Sequence, residues 1–155
     1  MPDNLIVDTG SANLWVGADP KNPYVRTPSS SDTGNKLIIP YGSGMVTGEE
    51  YTDRIAIGQL ELGNQGVGAA SEAVGFDGAD GILGIGPQDL TEGTLTPNTS
   101  STIPTVVDNA FAQKLISYAA VGISFAPATN NSVMNGELTI GNVDSSKYIG
   151  PITFA

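Results

Sequence analysis

The segment Val7-Asp8-Thr9-Gly10-Ser11 sets a carboxylate between an apolar run and a turn. Leu5-Ile6-Val7 reads as a strand, so Asp8 stands at a strand end, in a turn that Gly10 completes at little steric cost. Thr9 and Ser11 supply hydroxyls that can hydrogen-bond locally and hold the carboxylate rigid. A fixed carboxylate is a candidate general acid or base. Asp-Thr-Gly alone occurs by chance, and Asp32-Thr33-Gly34 repeats it in this chain. That second copy follows no apolar run and reads as a plain turn. Tyr41-Gly42-Ser43-Gly44-Met45 places an aromatic before a Gly-x-Gly turn between two strand-like runs. It reads as a mobile hairpin tip or as a tight turn with an exposed Tyr. Asp80-Gly81-Ile82-Leu83-Gly84 is an apolar pair followed by Gly, which lets another backbone approach closely; by itself it reads as a buried strand.

Composition narrows what these residues can do. The chain has 155 residues, enough for one domain with a core, and neither His nor Cys. That removes the Ser-His-Asp triad, histidine bases, thiol chemistry, disulfides and almost every zinc site. Hydrolytic chemistry would have to come from carboxylates, Lys, Tyr or Ser, and no metal or cofactor is expected. Six Lys and Arg face sixteen Asp and Glu, a net charge of −10. Such a surface repels nucleic acid and anionic membranes, and it becomes less self-repelling in acid. No run of eighteen apolar residues exists to span a membrane, and Met1–Asn4 does not read as a signal peptide. The sequons Asn98-Thr99-Ser100 and Asn130-Asn131-Ser132 permit glycosylation in a secretory pathway.

The elements that must position Asp8 are mostly strands. Short apolar or alternating runs recur at 5–7, 14–16, 36–40, 45–51, 54–57, 65–70, 82–86, 121–125 and 137–140, broken by Gly and Pro. That spacing predicts an all-β sandwich or barrel. Residues 104–116 predict a helix, with Pro104 in its first turn, Asp108 near its positive end, and Val107, Phe111 and Leu115 sharing a face. A shorter helix is predicted at Gln88-Asp89-Leu90. Residues 19–35 and 91–102 read as polar loops. No repeat or linker divides the chain.

Taken together, these segments resemble the pepsin-like aspartic proteases. Residues 7–16, VDTGSANLWV, resemble the family's first active-site segment. Tyr41-Gly42-Ser43-Gly44 with Thr47-Gly48 resembles its flap. Residues 76–84, FDGADGILG, resemble the segment passing behind the active-site loop. Gly136–Gly141 with Asp144-Ser145-Ser146-Lys147-Tyr148 resembles the end of the first lobe. The motifs stand in family order, and the cysteine-free chain is similar to secreted fungal members of the polyporopepsin type.

The resemblance implies a mainly β pepsin-like lobe, closed or barrel-like, with one or two short helices. It implies a single unit over residues 1–155 that matches the N-terminal lobe, with the family's first strands and its C-terminal lobe absent. In that family two aspartates share a proton and activate the water that attacks a peptide carbonyl. Asp8 matches the first, and Thr9, Gly10 and Ser11 its supporting turn. Tyr41, Gly42, Ser43 and Gly44 match the substrate-covering flap, and Trp15 the partner of its Tyr. The implied function is acid endopeptidase action on peptide or protein substrates, in an extracellular or vacuolar setting. One such Asp cannot form a dyad, so a second lobe or a homodimer is implied; the alternative is a non-catalytic binding, inhibitory or immune-active protein.

Overall fold

A computed structural model describes residues 3–42, 44–76, 78–127 and 135–152. Seven strands form one mixed sheet: β1 (Leu5–Asp8), β2 (Leu14–Val16), β3 (Ser31–Tyr41), β4 (Gly44–Ile57), β5 (Leu60–Val74), β6 (Gly81–Gly84) and β7 (Leu95–Thr96), in the order β1-β6-β2-β5-β4-β3-β7. One helix, α1 (Val106–Ala112), follows, and β8 (Val121–Phe125) pairs with β9 (Gly136–Ile140) as a separate hairpin. The mainly β expectation holds. Closure into a barrel does not: among the described residues the strand order is open, with β1 and β7 at its edges. The sheet instead curls on itself, because β3 and β4 side chains pack with those of β2 and β6.

The short central strands explain how the core is built. Every residue of β2 and β6 is buried. Trp15 and Ile82 join Leu37, Ile39 and Val46 on one face, while Leu14, Val16 and Leu83 join Leu62, Val67 and α1 on the other. A strand buried on both faces must be apolar throughout, which is why Leu14-Trp15-Val16 shows no alternation.

Several local expectations change. The runs at 45–51 and 54–57 are one strand, β4, and residues 65–70 belong to the longer β5. A two-residue turn at Gly58-Gln59, with φ +59° at Gly58, joins the two. The supposed loop at 19–35 already enters β3 at Ser31. Asp32-Thr33-Gly34 lies there, at a bulge where the pairing shifts between Asp32 and Lys36. The helix is shorter than predicted, and Pro104 precedes it: Thr105 is the N-cap, in a capping box with Asp108. Val106, Val107 and Ala110 form its buried face, whereas Phe111 and Leu115 are about half exposed. The predicted short helix is present as a 3-10 turn over Gln88–Thr91.

Candidate active site

Asp8 ends β1, half-buried. Strand β6 lies between β1 and β2, parallel to the first and antiparallel to the second. The connection Thr9–Asn13 must therefore arch past the end of β6, and β6 is shaped to admit it. A Cβ on Gly84 would meet the backbone of Ala12 at 2.6–2.7 Å, and one on Gly86 would meet the carbonyl oxygens of Thr9 and Ser11 at 2.9 Å. Three backbone bonds fasten the arch, Gly84 N to Asn13 O, Ile85 N to Asp8 O and Gly86 N to Ser11 O, and the pairing of Leu14 with Leu83 continues from it. The glycines behind the loop therefore serve close approach, as the sequence suggested.

Within the arch the Asp8 carboxylate accepts two bonds. The Gly10 amide donates to Oδ1 at 2.9 Å, and the Ser11 hydroxyl donates to Oδ2 at 2.6 Å. Each oxygen keeps acceptor capacity for a water or substrate group. The Thr9 hydroxyl makes no bond among the described residues, so of the two hydroxyls only that of Ser11 holds the carboxylate. Gly10 is constrained by space rather than by a left-handed φ, since its Cβ would lie 3.3 Å from Asp8 Oδ1.

The hairpin joining β3 to β4 overhangs this loop. Tyr41 pairs with Gly44 across its base, and a Cβ on Gly44 would strike the Val74 carbonyl at 2.1 Å. Gly42 is exposed; Ser43 lies outside the described residues. The fully buried Trp15 donates from Nε1 to the Tyr41 hydroxyl at 2.8 Å. Phe76 completes an aromatic cluster, its ring centroid 5.0 Å from Trp15 and 5.1 Å from Tyr41, both edge-on. Burial pushes the Tyr41 phenol above its ordinary value, and the nearby Asp8 charge adds to this against the lowering effect of the Trp15 bond. Tyr41 thus stays protonated, accepts from Trp15, and retains its own proton for donation.

A cleft of about 360 Å³ runs between Gly10-Ser11 and Tyr41-Gly42. Its further lining includes Asn13, Ile39, Leu90, Glu92 and Thr94, none of which stood out in the sequence. Ile39 lay in the strand-like run 36–40, Asn13 in the segment 7–16 and Leu90 in the short helix, but nothing joined them to one cleft. Phe76 was visible as an aromatic before Asp77-Gly78 but not as a member of the cluster. Asp32 stands nine residues before Tyr41 on β3, a contour of about 30 Å, and its carboxylate turns back to accept from Gly34 N. Among the described residues, no three acidic groups are placed to hold a metal, and no helix is long and apolar enough to cross a membrane.

Comparison with known proteins places this geometry. A family model described as eukaryotic aspartyl protease matches residues 3–155. Polyporopepsin of Irpex lacteus is 54% identical over 151 residues, covering 97% of this chain and 44% of that protein. Cathepsin D of Dictyostelium discoideum is 32% identical over 168 residues, covering 97% and 41%. The crystal structure of aspartic proteinase from Irpex lacteus matches with a TM-score of 0.91 at 54% identity, over 95% of this chain and 43% of that one. The chain spans less than half the length of the curated relatives it matches.

Proposed function

We infer that this chain, which belongs to the eukaryotic aspartyl protease family, forms one half of an acid endopeptidase site with Asp8 as its reacting carboxylate. The observation that carries the reading is the Asp8 carboxylate, held by Gly10 N and Ser11 Oγ, the two residues that face Tyr41 and Gly42 across the cleft. A carboxylate fixed in this way can hold a water against a bound peptide carbonyl. Hydrolysis then needs a second carboxyl group, protonated, to donate to the carbonyl oxygen while the first takes a proton from the water. Two such groups in one site share a proton, because two close negative charges cannot both form cheaply. Neither His nor metal takes part in this scheme.

Among the described residues no second carboxylate bonds with Asp8. The partner carboxylate must come from a surface that meets this one, supplied by further polypeptide or by a second copy of the chain. Exposed apolar side chains at the sheet edge favour such a meeting: Ile6 and Val7, on the two faces of edge strand β1 beside Asp8, are 47% and 44% exposed. Supporting roles fall to Ser11 and Gly10 for the carboxylate. Tyr41, Gly42, Ser43 and Gly44 cover the substrate, and Trp15 anchors the hairpin. The substrate is a peptide or unfolded protein, and the setting is extracellular or vacuolar, where acid keeps one carboxyl protonated.

The test is acid cleavage of a denatured protein across a concentration series, with Asp8→Asn beside it. Cleavage lost in the variant supports the reading. A rise steeper than linear with concentration assigns the second carboxylate to another copy.

A further inference from the structure

We propose that Glu92 makes the cleft beside Asp8 selective for a substrate residue with a cationic side chain, Lys or Arg. The inference rests on the endopeptidase reading and adds the class of side chain accepted. The 3-10 turn Gln88–Thr91 and its continuation to Thr94 bring Leu90, Glu92 and Thr94 to the cleft, facing Ser11 and Tyr41.

The chemistry of that lining is uneven. Leu90 is half exposed, and with Ile39 and the Tyr41 ring it offers apolar surface. The buried polar groups are already satisfied: Asn13 Nδ2 donates to Thr94 Oγ1 at 3.2 Å, and Thr94 Oγ1 donates to the Thr91 carbonyl at 2.6 Å. Glu92 is different. It is exposed, and its carboxylate belongs to neither ion pair found among the described residues, Arg54–Glu61 and Lys147–Glu137. None of the six cations of the chain, Lys21, Arg26, Lys36, Arg54, Lys114 and Lys147, lines the cleft. An entering side chain therefore meets an apolar wall and a free negative charge, with no competing internal cation. A long aliphatic stem ending in a positive charge satisfies both, as Lys and Arg do when they lay their stems on apolar surface and keep the charged end in water. An acidic side chain would meet repulsion, and a plain aliphatic one would leave the carboxylate unused.

Binding rather than turnover gives the cleaner test, since it does not require the second carboxylate. Trp15 is the only Trp of the chain and bonds the Tyr41 that lines the cleft, so its fluorescence reports occupancy. The probes are eight-residue peptides, otherwise uncharged and capped at both ends, in which one Lys or one norleucine is moved along the sequence. The expected result is one position at which Lys binds about fivefold tighter than norleucine, the upper range for a solvent-accessible ion pair. Glu92→Gln should bring the two peptides to equal affinity, while Glu72→Gln, an exposed charge on β5 outside the cleft, should leave the preference intact. Equal affinities in the unmodified protein overturn the inference and leave the endopeptidase reading standing. A preference lost equally in both variants also overturns it, because net charge then explains the effect. Failure to bind any peptide at all counts against both.

Discussion

Trp15 Nε1 donates to the Tyr41 hydroxyl across 2.8 Å, tying the buried strand that follows the Asp8 loop to the hairpin that overhangs it. One bond thus links the two sides of the cleft. Trp15→Phe keeps a ring in the aromatic cluster but removes the donor. The loss is about 1 kcal/mol for one net hydrogen bond, so the Tyr41 and Gly42 amides should exchange about fivefold faster. Exchange at the unmodified rate would show that the bond does not restrain the hairpin.

Gly84 leaves no room for a side chain. The Cβ of Gly84→Ala would lie 2.6–2.7 Å from backbone atoms of Ala12, which cannot swing away as a flexible side chain can. The variant should lose about 1–3 kcal/mol of stability, read as a lower denaturant midpoint, and should shift the Asp8 loop. An unchanged midpoint would mean that the arch is looser than its contacts imply.

Asp53 is the hub that holds the Tyr24–Ser30 segment on β4. Its carboxylate accepts from Ser29 at 2.5 Å, Ser30 at 2.6 Å, Tyr24 at 2.8 Å, Thr27 at 3.2 Å and the Arg54 amide at 2.7 Å. Burial works to raise this carboxyl, but the Ser29, Ser30, Tyr24 and Arg54 bonds outweigh it and hold it well below the ordinary range. The same burial, with the Asp53 charge, pushes the Tyr24 phenol up to about 12. Because the folded value of Asp53 is depressed, its stabilisation is complete above the ordinary aspartate value of about 3.9 and is lost as pH falls through the lower folded value. The segment is thus secured in the mildly acid range where the proposed chemistry works. Asp53→Ala strands several hydroxyls and should cost about 3 kcal/mol at neutral pH, with a smaller penalty in strong acid. A penalty independent of pH would remove the ionised carboxylate from this account.

The edge strand β1 exposes Ile6 and Val7 and, among the described residues, has no neighbour on its outer side. Open apolar edges recruit other chains. Sedimentation velocity should show association that grows with concentration and is suppressed by Ile6→Lys with Val7→Lys. A monomer over a wide concentration range would count against a meeting surface at this edge.

Local features of this chain were legible in its sequence, and non-local ones were not. The turn after Asp8, the hairpin at Tyr41 and the 3-10 turn at Gln88 follow from adjacent residue types. The parallel pairing of β1 with β6 joins residues some 76 positions apart, such as Leu5 and Gly81, and no local pattern encodes it. Asp32-Thr33-Gly34 reads as a turn because its residues favour one, yet pairing with β4 draws it into a bulged strand. In α1 the four-residue spacing of Val107, Phe111 and Leu115 suggested one buried face. Packing buries Val107 with Val106 and Ala110 rather than with Phe111, and the helix ends too soon to carry Leu115. The Asp53 hub and the cleft lined by Glu92 were invisible because the residues that make them come from several elements.

The most direct test of the central claim is the rate of acid cleavage of a denatured protein by the purified chain, measured against Asp8→Asn at matched concentrations. The account predicts cleavage that falls by at least about a thousandfold in the variant, as expected when a reacting group is removed. Cleavage that survives the substitution would contradict it, and absence of cleavage from both proteins at every concentration would contradict assembly of the site from two copies of the chain.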